Sequence, residues 1–235
     1  VKKPTDFNDE TFVSPAVVQR FKEKFWKVYP RDADRLSEES LNWFRTRVVK
    51  DIKVKQSSIL DTNLYGKKSG TEKNQLVGKL YFYEYAAEMA GDSEHGIYDR
   101  YPLCFFFNAG KSKSGKTMLW GLNLHYLAPK ERMILLMNLL QLRSSKATRP
   151  GMRLKLSWDM IKAVSKHNLY DKAVHSYRVD RIQSRLIEIP AVDWSVVVFL
   201  QLQKWTAIDP NNQLYPSDYR NITRKRTRDH MRKNK

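Results

Sequence analysis

One cysteine, Cys104, stands in 235 residues. A lone thiol inside the apolar run LCFFF permits neither a disulfide framework nor a site of four thiolate ligands, so it reads as a core side chain. Long apolar stretches are missing too. No run approaches the roughly 20 residues needed to cross a bilayer, and no N-terminal segment has the basic, apolar, small-residue order of a signal peptide. The expected setting is a cytoplasm, or an assembly built in one, with no membrane partner. His95, His125, His167, His175 and His230 form no close pair suited to one metal. Acidic residues are scattered among bases, so no pair of carboxylates can be assigned to acid–base work. Asp99 is the one carboxylate to examine, with turn formation or pairing to Arg100 as its expected job. His125, near a strand end, is expected to be packed with one satisfied ring nitrogen. No catalytic residue, metal or cofactor is predicted.

Positive charge, by contrast, is abundant. Forty-three Lys and Arg against twenty-five acidic residues give a formal charge of +18 and a pI near 9.9. That exceeds what solubility requires and implies an anionic partner. Phosphate backbones are the commonest target of such a surface, and binding them releases counterions, which makes affinity salt-dependent. An acidic protein partner or a crowded assembly is the alternative. With 41% apolar and 12% aromatic residues the chain should still fold, around one good core.

Residues 1–55 read as an N-terminal helical region. Ser14 and Pro15 offer a cap and first position before Val18, Phe21, Phe25 and Val28, an amphipathic spacing ended by Pro30. A second helix is predicted to begin at Ser37, with Leu36 and Leu41 as a hydrophobic staple and Leu41, Phe44, Val48 and Ile52 as its buried stripe. Its Arg45, Arg47, Lys50, Lys53 and Lys55 either track phosphates or stay solvated. Residues 56–76 are polar and Gly-containing and read as a flexible linker.

Residues 77–209 then read as the main core. Gly78–Tyr85, Leu103–Phe107 and Thr117–Tyr126 suggest three strands of an antiparallel meander. After Pro129, KERMILLMNLLQL is apolar around most of its circumference, as suits a helix packed between other elements. A helical insertion is expected over about 129–180, including a helix around Ser157–Lys166. RLIEI and SVVVFLQL look like two short strands separated by a helical turn at Pro190–Trp194, which would suit an SH3-like barrel. The predicted class is α+β: a small antiparallel, possibly SH3-like β-barrel or curled sheet with a helical insertion and two N-terminal helices. Residues 210–235 form a basic tail.

Gly110–Thr117 (GKSKSGKT) satisfies the phosphate-binding loop pattern GxxxxGK[ST] after an apolar strand. A working loop of that kind needs a helix next, because loop amides and helix N-terminus together cradle the phosphates. The residues that follow, MLWGLNLHY, alternate like a strand. The expectation is a hairpin loop whose Lys111, Lys113 and Lys116 touch an anion without catalysis. Gly96-Ile97-Tyr98 spells the first triplet of a nuclease family whose second triplet is missing.

Arg178, Arg181 and Arg185 make a second basic cluster, spaced for one side of a helix entering a strand. A third lies in the tail, where Arg220, Arg224, Lys225, Arg226 and Arg228 precede Arg232, Lys233 and Lys235. These three clusters, the third as far as Arg228, are the predicted nucleic-acid contacts. Tyr81, Tyr83, Tyr85, Trp120 and Trp194 could stack on bases, but aromatics at strand spacing are expected in the core.

YDRYPL at Tyr98–Leu103 and GLNLHYLAPKER at Gly121–Arg132 resemble the DNA end-protector proteins of T4-like tailed phages. FRTRVVKDI, GKLYFYEY, RLKLSWDMIK and SRLIEI…DWSVVVFL extend the likeness over most of residues 41–201; the lysine-rich loop from Gly110 departs from it. The resemblance implies a non-enzymatic virion protein that binds the ends of packaged double-stranded DNA and helps to complete the head. It also implies shielding of those ends from a host exonuclease of the RecBCD type. The place would be the virion head or neck, then the host cytoplasm, with head or portal proteins and the host exonuclease as further partners. Tyr98, Asp99, Pro102, Gly121, Asn123, His125 and Tyr126 read as structural members of the shared motifs. A structural head or neck protein contacting DNA or portal is the first alternative, and a P-loop NTPase or nuclease the second.

Overall fold

A computed structural model describes residues 13–28, 33–49, 76, 78–87, 97–127, 129–144, 173–200 and 205–207. Residues 56–75 of the expected linker, the helix expected around Ser157–Lys166, and the basic tail lie outside these residues. Among the described residues are seven strands: β1 (Leu80–Phe82), β2 (Ile97–Asp99), β3 (Leu103–Lys111), β4 (Thr117–Asn123), β5 (Val174–Arg178), β6 (Ile187–Ile189) and β7 (Trp205–Ala207). Five of them form one antiparallel sheet in the order β5-β4-β3-β1-β6, while β2 pairs with β7 in a separate ladder.

The meander expected from two alternating runs and the apolar run between them is present as β1, β3 and β4. The period-two pattern assigns opposite faces to two kinds of core. Leu80, Phe82, Leu103, Phe105 and Leu122 point to one face and are buried beneath helices. Tyr81, Tyr83, Tyr85, Cys104, Phe106, Leu119 and Tyr177 line the other, joined by Val179 and Ile182. The phenol rings meet edge to face, as between Tyr83 and Tyr177 at 5.6 Å and Tyr85 and Tyr177 at 5.1 Å. Burial pushes the Tyr83 and Tyr177 hydroxyls and the Cys104 thiol well above their ordinary ranges, so all three remain neutral.

The sheet curls because its two edges belong to one segment. After β5 a 3-10 turn at Val179–Arg181 turns the chain, Ile182 bridges to Tyr85, and the Gln183 N–H bonds the Glu84 carbonyl before β6 pairs with β1. The ladder nevertheless ends at β5 and β6, so the expected barrel is an open, curled sheet. The strand–turn–strand unit of an SH3-like barrel is also not formed. Ala191–Asp193 is the helical turn expected after Pro190, but Trp194–Val197 continues as helix where SVVVFL was expected to be a strand. Trp194, Val197, Val198, Phe199 and Leu200 are all buried, and an apolar run surrounded by core can take either conformation. β5 in turn lies within the span expected to be a helical insertion.

Among the described residues four α-helices cover the aliphatic face: α1 (Pro15–Glu23), α2 (Ala33–Arg47), α3 (Pro129–Arg143) and α4 (Trp194–Val197). In α1 the predicted stripe holds, with Val18 and Phe21 buried, and a π-helical turn at Lys24–Val28 carries it on to the buried Phe25. α2 begins at Ala33, four residues before the expected Ser37. Leu36 is therefore a core residue within the helix and not half of a staple. The inward stripe runs through Leu36, Ser40, Phe44 and Val48, because the Ser40 hydroxyl is satisfied while buried, bonding Leu36 O at 2.9 Å and Val196 O at 2.5 Å. Leu41 and Phe44 are half-buried. In α3 seven residues are buried around most of the circumference, two of them arginines. Among the described residues no helix is long and apolar enough to cross a membrane.

Those arginines act as internal fasteners. The Arg132 guanidinium is fully buried and donates to the carbonyls of Leu127, Val198, Leu200 and His125, joining the start of α3 to the chain end of α4. Arg143 donates to Gly78 O and lies 5.0 Å from the Trp194 ring centroid, an arrangement that retains charge stabilisation without water. The Trp194 indole N–H donates to Ile189 O at 3.0 Å.

Gly121 shows how closely the sheet is filled. A Cβ there would stand 2.3 Å from the Cys104 sulfur and 2.9 Å from Phe105 O, with Phe106 opposite in register. Gly121→Ala should lower unfolding stability by about 1–3 kcal/mol through overpacking. A denaturant midpoint unchanged in this variant would contradict the packing described.

Candidate nucleic-acid interface

The GKSKSGKT segment is a β-hairpin. Gly110 and Lys111 end β3, Thr117 begins β4, and Ser112–Lys116 turns between them. The Gly115 N–H bonds Ser112 O at 3.0 Å and the Ser112 N–H bonds Lys116 O at 2.8 Å. Gly115, at φ 78°, supplies the left-handed position that such a loop needs. No helix follows, so the amide cradle of a nucleotide-binding loop is not built. The bare face of Gly110 is covered instead by the Trp120 ring, 3.4 Å from where its Cβ would be. Lys111, Lys113 and Lys116 are all exposed on this turn.

Strand register brings the second cluster to the first. β4 and β5 pair with Met118 opposite Arg178, and continuing that register sets Lys116 across from Asp180. The two side chains are 3.7 Å apart. Arg178 grips the same carboxylate in bidentate fashion, Nε to Oδ1 at 3.0 Å and Nη2 to Oδ2 at 2.7 Å. Hydrogen bonding from Arg178 holds the Asp180 carboxyl below the usual range, so it stays ionised while it bridges the two cations. Its small stabilising contribution, screened by solvent, is present above the ordinary carboxylate pKa and fades as pH falls through the lowered one. Arg181 closes the 3-10 turn beside it.

The three arginines do not share a helix, contrary to the spacing. Arg178 ends a strand, Arg181 ends a 3-10 turn, and the exposed Arg185 lies on the segment running back along β1. Arg220, Arg224, Lys225, Arg226 and Arg228 lie outside the described residues. Of the aromatics weighed as stacking residues, Tyr81, Tyr83, Tyr85 and Trp194 are buried in the core and Trp120 is half-buried.

A second polar group sits inside the molecule. Asp99, at the end of β2, accepts from the Tyr101 N–H at 3.1 Å and from Asn123 Nδ2 at 3.1 Å, and its Oδ2 lies 2.7 Å from His125 Nδ1. Asn123 Oδ1 in turn accepts the His125 backbone N–H at 3.0 Å. The turn role expected of Asp99 is thus present, but its side-chain partners are Asn123 and His125; Arg100 pairs instead with Glu84 at 2.7 Å. An Asp–His couple is a familiar catalytic pairing, yet these side chains are 1% and 0% exposed and no substrate atom could reach them. The group locks the β2–β3 corner to the end of β4. Among the described residues no cluster of His, Cys, Asp and Glu is arranged to hold a metal.

A family model described as Phage T4 terminal DNA protecting protein matches residues 8–214. The chain belongs to this family. No curated protein and no solved structure matches it. The family's name points to DNA termini as what such a protein protects, and the match takes in both the hairpin lysines and Arg178, Arg181 and Arg185. It ends before Arg220, so the predicted tail contacts fall beyond the part shared with the terminal DNA protecting proteins. The motifs YDRYPL and GLNLHY supply the Asp99, Asn123 and His125 group. Sequence reasoning missed the buried arginines, since Arg132 in the first turn of a helix ordinarily reads as a surface charge. It also missed Asp180, whose one signal was an acid two residues after Arg178.

Asp180→Asn should release Arg178 and Lys116 for phosphate. Filter or fluorescence binding is expected to show severalfold tighter duplex affinity, with the slope of log K against log salt steeper by about one; weaker binding would mean the pair does not face DNA. Asp99→Ala should cost about 1–3 kcal/mol of unfolding stability, the scale for leaving buried hydrogen-bonding partners unsatisfied. Full stability in that variant would remove the locking role.

Proposed function

We propose that this protein binds the ends of packaged double-stranded DNA and shields them from a host exonuclease of the RecBCD type. The observation that carries the reading is the family match over residues 8–214. The net charge of +18 and the joined hairpin and turn cations support it, because sequence-independent binding rests on phosphate contacts from Lys and Arg. Lys111, Lys113, Lys116, Arg178, Arg181 and Arg185 are the proposed contacts on the folded part, with Arg220, Arg224, Lys225, Arg226 and Arg228 in the tail. Protection by occupancy needs no bond to be made or broken, so the reading is non-enzymatic. The protein would act inside the virion head or neck, contribute to head completion through head or portal proteins, and enter the host cytoplasm with the DNA.

The decisive experiment is exonuclease digestion of linear duplex with and without the protein. Protection should appear with blunt ends of any sequence and weaken steeply as salt rises from about 50 to 200 mM. Removing residues after Tyr219 should reduce affinity while leaving the folded part intact. Lys116→Ala should remove one phosphate contact among several and so leave most of the protection at low salt, with a salt slope shallower by about one; nucleotide hydrolysis that is magnesium-dependent and lost in that variant would replace this reading with an NTPase. Equal affinity for closed circles would remove its end-specific part.

A further inference from the structure

Phosphate contacts cannot distinguish a duplex end from its interior, since the backbone is the same in both places. What an end alone offers is the uncovered flat face of its last base pair, and the side chain suited to that face is an exposed aromatic. Among the described side chains the large aromatics are buried or half-buried, with one exception: Trp26 is 66% exposed.

We propose that the indole of Trp26 stacks on the terminal base pair and so confers the preference for DNA ends, an inference that rests on the end-binding reading above. Its setting fits that task. Trp26 lies on the π-helical turn Lys24–Val28, off the buried stripe of Val18, Phe21 and Phe25. Phe25 is buried and meets the indole edge to face at 4.3 Å and 88°, which holds the exposed ring in a fixed orientation. A pre-set ring loses little freedom on binding. Arg20 and Lys22 precede it on α1, giving cations for the phosphates that flank a terminal pair. The acids nearby are engaged: Glu39 pairs with Lys24 at 2.5 Å, and Glu23 accepts from Gln19 at 3.2 Å.

The test compares a blunt duplex with the same duplex closed by a loop at each end, which covers both terminal pairs. Wild-type protein should prefer the open duplex by about tenfold or more, the scale of one base–aromatic stack. Trp26→Ala should bind both at the level of the closed one, and Trp26→Phe should retain part of the preference. Circular dichroism melts of the variants should match wild type, because the ring is outside the core. Full preference in Trp26→Ala overturns the proposal, including the case in which the variant changes sedimentation because a second copy or a virion protein covers this ring. An equal loss of affinity for both duplexes overturns it as well, making Trp26 a general contact. Wild-type protein that binds both duplexes alike overturns end binding itself, an outcome separable from the others because it needs no variant.

Discussion

A buried polar chain from Asp99 to Arg132 holds the two halves of this molecule in register. The carboxylate of Asp99 ties the corner after β2 to Asn123 and His125, and the carbonyl of His125 accepts from Arg132. Arg132 then reaches the carbonyls of Val198 and Leu200 at the end of α4. Removing any member would leave its neighbours with polar atoms in a dry interior, which costs more than the same bonds contribute when made. The helices on one face of the sheet and the tyrosine cluster on the other meet at this chain. The exposed cations, by comparison, are carried at the periphery, on a hairpin and a 3-10 turn set side by side by strand register.

That division explains what could be read in the sequence. Period-two alternation located β1 and β4 and period-3.6 spacing located α1, since each pattern reflects one buried face, while β3 and α3 were legible as apolar runs without such a period. The hairpin at Ser112–Lys116 was legible because strand patterning resumes at Thr117, where a nucleotide-binding loop would need a helix. SVVVFL was not legible: a run buried on every side has no period, and its helical form depends on Trp194, Arg132 and the carbonyls that meet them. α2 was misread at its start because Ser40, a polar residue, occupies an inward position that only its contact with Val196 across the fold makes affordable.

The candidate site was half visible. Lysines at the hairpin and arginines after β5 stood out by charge, but their union could not be seen without the pairing of Met118 with Arg178. Asp180 looks like a defect in a basic cluster until its two partners are known. It then reads as the anion that joins Lys116 to Arg178. Trp26 was passed over since it sits next to Phe25 in a run already counted as one amphipathic helix.

The curl of the sheet has a further consequence in time. β1 is flanked on one side by β6, more than a hundred positions downstream, and Ser40 of α2 reaches Val196. Neither early element can complete its contacts until the ribosome has released residues near 200. Contacts so distant in sequence slow folding and leave apolar faces uncovered meanwhile. A chain interrupted before β6 would therefore emerge as a sticky fragment, with the aliphatic side of its sheet open to any neighbour, while an almost finished chain could close in a single late step.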